Sequence, residues 1–152
     1  MGRDRNHACC ELSRQDVLKA LQHIQKQPQV GETIDDIVST YFEEVNSDVS
    51  HPKYSAKITP QMTNQLGTLS YGVFVSFAIE AARRMLRKLK KGDLVVENIT
   101  VYFLKPIQLD TIVEFRPRII DIGRKSAKID IEAVDGRKIV GKSLLMAQLI
   151  DR

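Results

Sequence analysis

The chain has 152 residues, of which 43% are hydrophobic and 28% are charged, and its formal net charge is +4. This length fits one domain with room for an appended arm, and the composition is that of an ordinary soluble globular protein. The mild positive charge suits an anionic small ligand. Because the basic residues form no single stripe and no Gly/aromatic RNA-binding motif occurs, we expect no direct binding to nucleic acid.

The cysteines and the apolar runs bear on the cellular compartment. Cys9 and Cys10 are adjacent, which places them poorly to bridge each other, and neither has cysteine or histidine partners at zinc spacing. No apolar run reaches transmembrane length, and the N-terminus lacks the apolar core of a signal peptide. We therefore expect a reduced, cytoplasmic protein with no metal site and no membrane association.

The N-terminal part predicts two helices. Ser13 to Asp16 is a capping-box pattern, and the helix that it opens should stop before Pro28. Thr33 to Asp36 is a second capping box, and an apolar stripe at helical spacing follows it. The stripe consists of Ile34, Ile37, Val38, Tyr41, Phe42 and Val45.

A short strand and one long apolar helix come next. Weak alternation from Tyr54 to Thr59 predicts the strand. Thr68 to Ala82 carries a single charge, Glu80, and apolar residues fall on all sides of the helix predicted there. Such a helix is typically wrapped by other structure. We expect Gly92 to be its C′ residue.

The C-terminal part predicts four long antiparallel strands. "DLVVENITVYF" and "TIVEFRPRIIDI" are rich in β-forming residues, and "SAKIDIEAV" alternates cleanly between apolar and polar positions. Asp135-Gly136 is typical of a hairpin turn into the last strand, "KIVGKSLLMAQLI". One antiparallel sheet wrapped round one central helix satisfies both patterns, so the predicted fold class is α+β.

These features resemble the hotdog fold. "TNQLGTLSYGVFVSFAIEAA" (63–82) resembles the signature of the acyl-CoA thioesterases of that superfamily, in which an N-x-x-G run opens the central helix and an acidic residue follows within it. "VYFLKPIQLDTIVEFRPRIIDIGRKSAKIDIEAV" is similar to the sheet half. The resemblance extends from Tyr54 to Ile150 and implies a hotdog domain over residues 51–152.

Residues 1–50 form the predicted N-terminal helical arm. "SRQDVLKAL" (13–21) resembles the final helix of a CBS domain, a nucleotide-sensing module, and a linker helix would follow it. The whole chain is thus similar to the C-terminal portion of the DRTGG–CBS–hotdog regulatory proteins of Gram-positive bacteria. The alternative is an ordinary capped helix that packs on the sheet.

The hotdog resemblance implies a thioester site at the start of the central helix, where backbone N–H groups and the positive dipole end face the carbonyl oxygen. Asn64 matches the family's asparagine, whose side chain can orient a water or the thioester. The implied thioester- and acyl-binding residues are Gly67, Thr68, Leu69, Ser70, Tyr71 and Phe74. Alternatively, Asn64 and Thr68 only cap the helix. The bulk of Tyr71, Phe74 and Phe77 favours a short acyl group.

The catalytic acid departs from the family pattern. The general base of many thioesterases aligns with Ile79, whereas Glu80 stands one residue later, about 100° round the helix. If the protein is an enzyme, Asn64 and Glu80 are its predicted catalytic residues, and an activated water hydrolyses the thioester. Otherwise Glu80 is an ion-pair partner of Arg83 and Arg84 at i+3 and i+4.

Coenzyme A carries a diphosphate and a 3′-phosphate, which arginine and lysine bind well. The resemblance implies that the "GRK" turn (123–125) meets these phosphates and that Lys105 is a second candidate. The implied CoA-binding residues are Asn98, Phe103, Leu104, Lys105, Gly123, Arg124 and Lys125. Alternatively, the basic residues only keep turns soluble. Hotdog ligand slots lie between subunits, so a homodimer or tetramer is implied, with "LVVENITVYF" at the seam.

Three functions remain open from the sequence. The leading hypothesis is a ligand-sensing or regulatory module that binds acyl-CoA. The alternatives are a thioesterase that hydrolyses a short-chain acyl-CoA and a purely structural dimerisation domain. No cofactor is expected, because CoA or acyl-CoA would be ligand or substrate.

Overall fold

The structure is a computed structural model that describes residues 13–18, 33–46 and 48–151. Contacts divide the chain into two units, Met1–Thr33 and Ile34–Arg152. In the first unit, the Asp16 N–H donates to Ser13 Oγ at 3.1 Å, and the Asp16 carboxylate accepts the Ser13 N–H at 3.3 Å. The predicted capping box is therefore confirmed, and helix follows over 14–18. The predicted end before Pro28 lies outside the described residues.

The second unit is one six-stranded antiparallel sheet with a long helix across it. Its elements are α1 (Ile34–Tyr41), β1 (Glu43–Glu44), β2 (Tyr54–Lys57), α2 (Tyr71–Lys88), β3 (Asp93–Phe103), β4 (Ile112–Ile122), β5 (Ser126–Asp135) and β6 (Lys138–Ile150). The strand order is β1-β2-β4-β5-β6-β3, and every neighbouring pair is antiparallel. The predicted α+β hotdog architecture is confirmed. The boundary at residue 50 remains a prediction about domains, although α1 and β1 group by contacts with the sheet.

One side of α2 supplies the centre of the core. Its buried residues occur in pairs at helical spacing: Val73, Phe74, Phe77, Ala78, Ala81, Ala82, Met85 and Leu86. Contrary to the prediction, the helix is not wrapped on all sides within the chain, because Val75 and Ile79 are half-buried and Tyr71 is exposed. In the described ranges no helix, α2 included, has the length and apolarity that crossing a membrane requires.

The second predicted helix is shorter than its apolar stripe. It ends at Tyr41, and Glu43–Glu44 instead pairs with the edge of β2. Phe42 leaves the helix and enters an aromatic cluster, where its ring centroid lies 4.9–5.6 Å from those of Tyr54, Phe77 and Phe115. Val45, the last member of the stripe, is 51% exposed. Strand pairing and the aromatic cluster together override the local helical periodicity.

The end of α2 also differs from the prediction. Lys90, with a φ of 57°, is the left-handed C′ residue in place of Gly92. The N–H groups of Lys90 and Lys91 donate to the carbonyls of Arg87 and Leu86 at 3.0 and 2.9 Å, the Schellman pattern. Gly92 serves a different purpose. Its φ is +92°, and a Cβ there would lie 2.4 Å from the carbonyl oxygen of Ile150.

β3 lies at an edge of the sheet. It pairs with β6 from Asp93 opposite Ile150 to Phe103 opposite Gly141, and none of the described strands pairs with its other side. An edge strand of 11 residues presents a row of free N–H and C=O groups, which is a template for pairing with another chain.

Two glycines with positive φ should differ in their tolerance of alanine. Gly136→Ala should lower the free energy of unfolding by about 1–2 kcal/mol, because alanine is strained in the left-handed backbone but its Cβ meets no neighbouring atom of the described residues. Gly92→Ala should cost about 1–3 kcal/mol more, because its Cβ also collides with Ile150. Urea unfolding of both variants measures the difference. Equal losses would show that the collision relaxes at no cost.

Candidate functional site

The loop before α2 is organised by Asn64. Its side-chain oxygen accepts the N–H groups of Leu66 and Thr68 at 2.9 and 3.2 Å, and its Nδ2 donates to Thr68 Oγ1 at 2.9 Å. Its carbonyl accepts the Gly67 N–H at 3.1 Å. Gly67 has a φ of +78°, but a Cβ there would meet nothing within 4 Å. Glycine at position 67 therefore permits the left-handed conformation of the turn. No neighbouring atom in the described part of the chain lies so close that it would exclude a side chain there.

Most backbone donors of this loop are already occupied. Besides those that Asn64 holds, the Leu69 N–H donates to Ile107 at 2.7 Å and the Ser70 N–H donates to Met62 at 2.8 Å. The free donors lie one turn further on, in residues 71–73. Ser70 is the N-cap but its hydroxyl caps no N–H, and among the described residues none accepts these three N–H groups. The positive end of the helix dipole lies at the same place.

A cavity of about 220 Å³ lies at this end of the helix. We call it the Asn64 cavity; it is lined by Asn64, Leu66, Thr68, Leu69, Tyr71, Phe74, Phe103, Lys105, Pro106, Ile107 and Val140. The structure thus brings together Asn64, four of the implied acyl-binding residues and two of the implied CoA-binding residues. Gly67, Ser70 and Leu104 adjoin these residues in the chain without lining the cavity.

Four lining residues were not singled out from the sequence: Leu66, Pro106, Ile107 and Val140. Backbone hydrogen bonds between distant segments, which the sequence pattern does not predict, place these residues at the cavity. Ile107 holds the Leu69 N–H, and the Val140 carbonyl accepts the N–H groups of Leu104 and Lys105 at 3.0 and 3.1 Å. The sequence signal that could have located them is "FLKP" (103–106) at the end of β3, since this segment turns the chain towards the start of α2.

Glu80 lies in a different cavity, of about 620 Å³, which we call the Glu80 cavity. It is lined by Asp35, Val38, Ser39, Ser76, Ile79, Glu80, Arg83, Arg87, Asp93 and Val96. Glu80 comes nine positions after Tyr71 on the helix, about 14 Å along the axis. Within the chain, the two predicted catalytic residues are therefore not brought together.

Both oxygens of Glu80 are engaged by arginines. Oε2 accepts from Arg83 Nη1 at 3.1 Å, and Oε1 accepts from Arg84 Nε at 3.0 Å. Arg83 also donates to Asp93 at 3.3 Å. The Glu80 side chain is 16% exposed, so this network supplies the partners that a half-buried carboxylate requires. The ion pairs predicted at i+3 and i+4 are confirmed.

Arg84 connects this network to the residues after α1. Its Nη1 donates to the Phe42 carbonyl at 2.8 Å, and its guanidinium lies 5.2 Å from the Phe42 ring centroid and 5.9 Å from that of Tyr54. Burial raises the pKa of the Tyr54 phenol, Arg84 opposes this rise and Glu80 adds to it. Tyr54 therefore stays neutral beside the ion pairs.

The implied CoA residues occupy opposite ends of the sheet. The turn over 123–125 lies beside the start of β3, because the Lys125 carbonyl accepts the N–H of Leu149, which pairs with Leu94. Lys105 follows the other end of β3, roughly 30 Å away at about 3.3 Å per residue. Asn98 lines a third cavity together with Asp121 and Ser126, nearer to the 123–125 turn. Among the described residues, no cluster of His, Cys, Asp or Glu could hold a metal.

The profile of the thioesterase superfamily matches residues 66–142, which include the helix start, α2 and most of the sheet. The chain belongs to the thioesterase superfamily. A curated relative, "Uncharacterized protein YtoI" of Bacillus subtilis (strain 168), is 54% identical over 142 residues, or 93% of this chain. The chain spans about a third of that relative, 32% of its length.

Solved structures of similar fold include members of the same superfamily. The protein smu.793 of Streptococcus mutans UA159, bound to acetyl CoA, is 15% identical, with a TM-score of 0.68 over 73% of this chain and 90% of its own. A hypothetical thioesterase of Streptococcus pneumoniae TIGR4 with coenzyme A is 16% identical, with a TM-score of 0.69 over 74% and 91%. Thioesterase superfamily member 2 of Mus musculus is 16% identical, with a TM-score of 0.70 over 85% and 96%. Identities this low establish the shared fold and not the activity.

Asn64 can be tested as the organiser of the loop in this superfamily member. Asn64→Ala should lower the protection of the Thr68 amide against hydrogen exchange about fivefold, because a hydrogen bond contributes ~1 kcal/mol. Asn64→Asp keeps the acceptor oxygen and should retain the protection. Amide exchange resolved by NMR measures both. Protection unchanged in Asn64→Ala would mean that the side chain does not hold the loop.

Proposed function

We propose that the Asn64 cavity binds the thioester of an acyl-CoA, and that the domain senses this ligand without hydrolysing it. The observation that carries the proposal is the composition of the cavity wall. It has the Asn64 amide, apolar sides and Tyr71, the first of the three helix residues whose N–H groups have no acceptor among the described residues, and these groups suit a thioester carbonyl and its acyl group. Among the described residues, no carboxylate or imidazole lines it.

The fold neighbours support the class of ligand. Two structures with TM-scores of 0.68 and 0.69 contain acetyl CoA and coenzyme A, respectively. Lys105 lines the Asn64 cavity and places a cation beside its apolar wall. A ligand with phosphate groups requires such a cation. The proposed ligand is therefore an acyl-CoA.

The environment of Glu80 favours sensing over hydrolysis. Ile79 occupies the position that the family resemblance assigns to the general base, and its side chain cannot accept a proton. Both oxygens of Glu80 accept hydrogen bonds from arginines, at 3.0 and 3.1 Å, so the carboxylate is engaged in ion pairs rather than directed at a water.

A two-fold dimer through β3 would complete the site. Antiparallel pairing of β3 with its copy places the Phe103 end of one strand beside the Leu94 end of the other. The basic turn over 123–125 of one subunit then approaches the Asn64 cavity of its partner, although the two are roughly 30 Å apart within a chain. The free edge of β3 and its exposed side chains, Tyr102 and Phe103, support this seam.

α1 is the proposed output element. It follows directly on the N-terminal unit in the chain, and its residues Asp35 and Val38 line the Glu80 cavity. The same two-fold operation brings this cavity, through Val96 on β3, towards the partner's Asn64 cavity. Ligand at the seam would therefore bias the position of α1 and of the chain before it.

The first prediction from this proposal concerns turnover. Titration of acetyl-CoA and free CoA into the full chain should show binding of both, and a thiol assay on the same sample should show no release over hours. Release of thiol that is lost in Glu80→Gln would establish the alternative, a thioesterase with Glu80 as base. Absence of binding would leave the structural dimerisation domain as the remaining hypothesis.

Ile79→Asp sharpens this test, because it restores an acid at the family's position. Measurable hydrolysis in this variant would identify the scaffold as a hydrolase that lacks only its base. Ile79→Asn, of the same size and without an acid, is the matched control. Hydrolysis in both variants would contradict a general-base role for the new carboxylate.

The second prediction uses a duplication in the sequence. "GRK" occurs at 123–125 and again at 136–138, in the turns at opposite ends of β5. Alanine at both Arg124 and Lys125 should weaken CoA binding about tenfold or more, since a hydrogen bond to a charged group contributes ~1.5–3 kcal/mol. Alanine at both Arg137 and Lys138 removes the same charge and should leave the affinity unchanged.

Titration calorimetry at two salt concentrations measures both double variants. The proposal also expects the affinity of the wild type to fall with salt more steeply than that of the 124/125 variant. Equal loss in the two variants would assign the effect to net charge and would remove the 123–125 turn from the site.

A further inference from the structure

The inner end of the Asn64 cavity is closed by aromatic rings. Tyr71, at the outer side, is 66% exposed, whereas Phe74 is 2% exposed and faces the cavity from within. The Phe103 ring joins them, with its centroid 4.5 Å from that of Tyr71 and 5.3 Å from that of Phe74. A group that enters beside Asn64 therefore meets Phe74 at the end of its path.

Phe74 is held from behind, so it cannot retreat. Its ring centroid lies 5.3 Å from that of Phe115, which is fully buried. On another side the ring packs directly on Gly141, where a Cβ would lie 2.5 Å from Cζ and 2.9 Å from Cε2 of Phe74. Only glycine at position 141 leaves room for this ring, and the ring in turn fixes the depth of the cavity.

The size of the cavity then sets a limit on the ligand. Its volume of about 220 Å³ is below the range of about 300–1,000 Å³ that pockets for drug-sized ligands occupy. The geometry points to a short acyl group as the ligand's acyl part, with Phe74 as the specificity-determining residue. This inference rests on the proposed binding of acyl-CoA and names the class of acyl group. Phe77, which the sequence also suggested, lies in the core and does not line the cavity.

The test is a chain-length series on the full chain. Free CoA and acetyl-, butyryl-, hexanoyl- and octanoyl-CoA are titrated into the wild type and Phe74→Ala. In the wild type the affinity should fall once the chain exceeds the cavity. In Phe74→Ala the optimum should move to longer chains, since each further methylene that is buried contributes about fourfold in affinity.

Three further variants keep the test decisive. Met85→Ala, on the same helix and equally buried but outside the cavity, should reproduce the wild-type profile at a similar cost in stability. Phe74→Leu opens the cavity less and serves where Phe74→Ala does not fold. Gly141→Ala should act in the opposite direction, because its Cβ drives the Phe74 ring towards the ligand. It should weaken acetyl-CoA relative to free CoA.

The outcomes separate the inference from the proposed function. Octanoyl-CoA bound by the wild type as tightly as acetyl-CoA would overturn the inference, as would a profile that Phe74→Ala and Phe74→Leu both leave unchanged. In either case binding itself stands. A wild type that binds neither free CoA nor any acyl-CoA would overturn the proposed function, and this inference with it.

Discussion

Burial of one side of α2 in the antiparallel sheet is the constraint on which the rest of the structure depends. The buried residues come in adjacent pairs, from Val73-Phe74 to Met85-Leu86, and the intervening pairs face outward. Because the helix is fixed about its own axis by this packing, Ile79 and Glu80 must lie on the outer side. Its start is fixed along the axis by the hydrogen bonds of Leu69 and Ser70 to neighbouring segments. The unoccupied N–H groups therefore stand at a definite point beside the Asn64 cavity.

The ionic network of Glu80 follows from the same constraint. A carboxylate that is 16% exposed loses most of its hydration, and burial without a partner would cost several kcal/mol. Arg83 and Arg84, one turn later, remove this cost, and Arg84 then continues to the Phe42 carbonyl. The network therefore stabilises the attachment of the segment after α1 to α2. A carboxylate committed to this structural role is poorly suited to be a proton acceptor.

The sequence predicted those features that depend on local pattern. Richness in β-forming residues and alternation located β3 to β6, and the run from Thr63 to Ala82 located the central helix and Asn64. The sequence-based prediction was wrong where a residue distant in the chain determines the local structure. α1 ends at Tyr41 because Glu43–Glu44 pairs with β2. Lys90 replaces Gly92 at C′ because Gly92 is required beside Ile150. Pattern also could not show that the loop N–H groups already have acceptors, since Ile107 and Met62 supply two of these from outside the loop.

The division of the site between opposite ends of β3 has a thermodynamic consequence under the proposed function. The chain carries the Asn64 cavity at the Phe103 end and a basic turn at the Leu94 end, so a site that uses both would need two copies. A ligand that contacts both copies binds the dimer more tightly than the monomer, and by linkage it strengthens the dimer by the same factor. An acyl-CoA can thus change the state of the assembly through its binding energy alone. Under the same proposal, hydrolysis would destroy the ligand that holds this state, and an isoleucine at position 79 would preserve it.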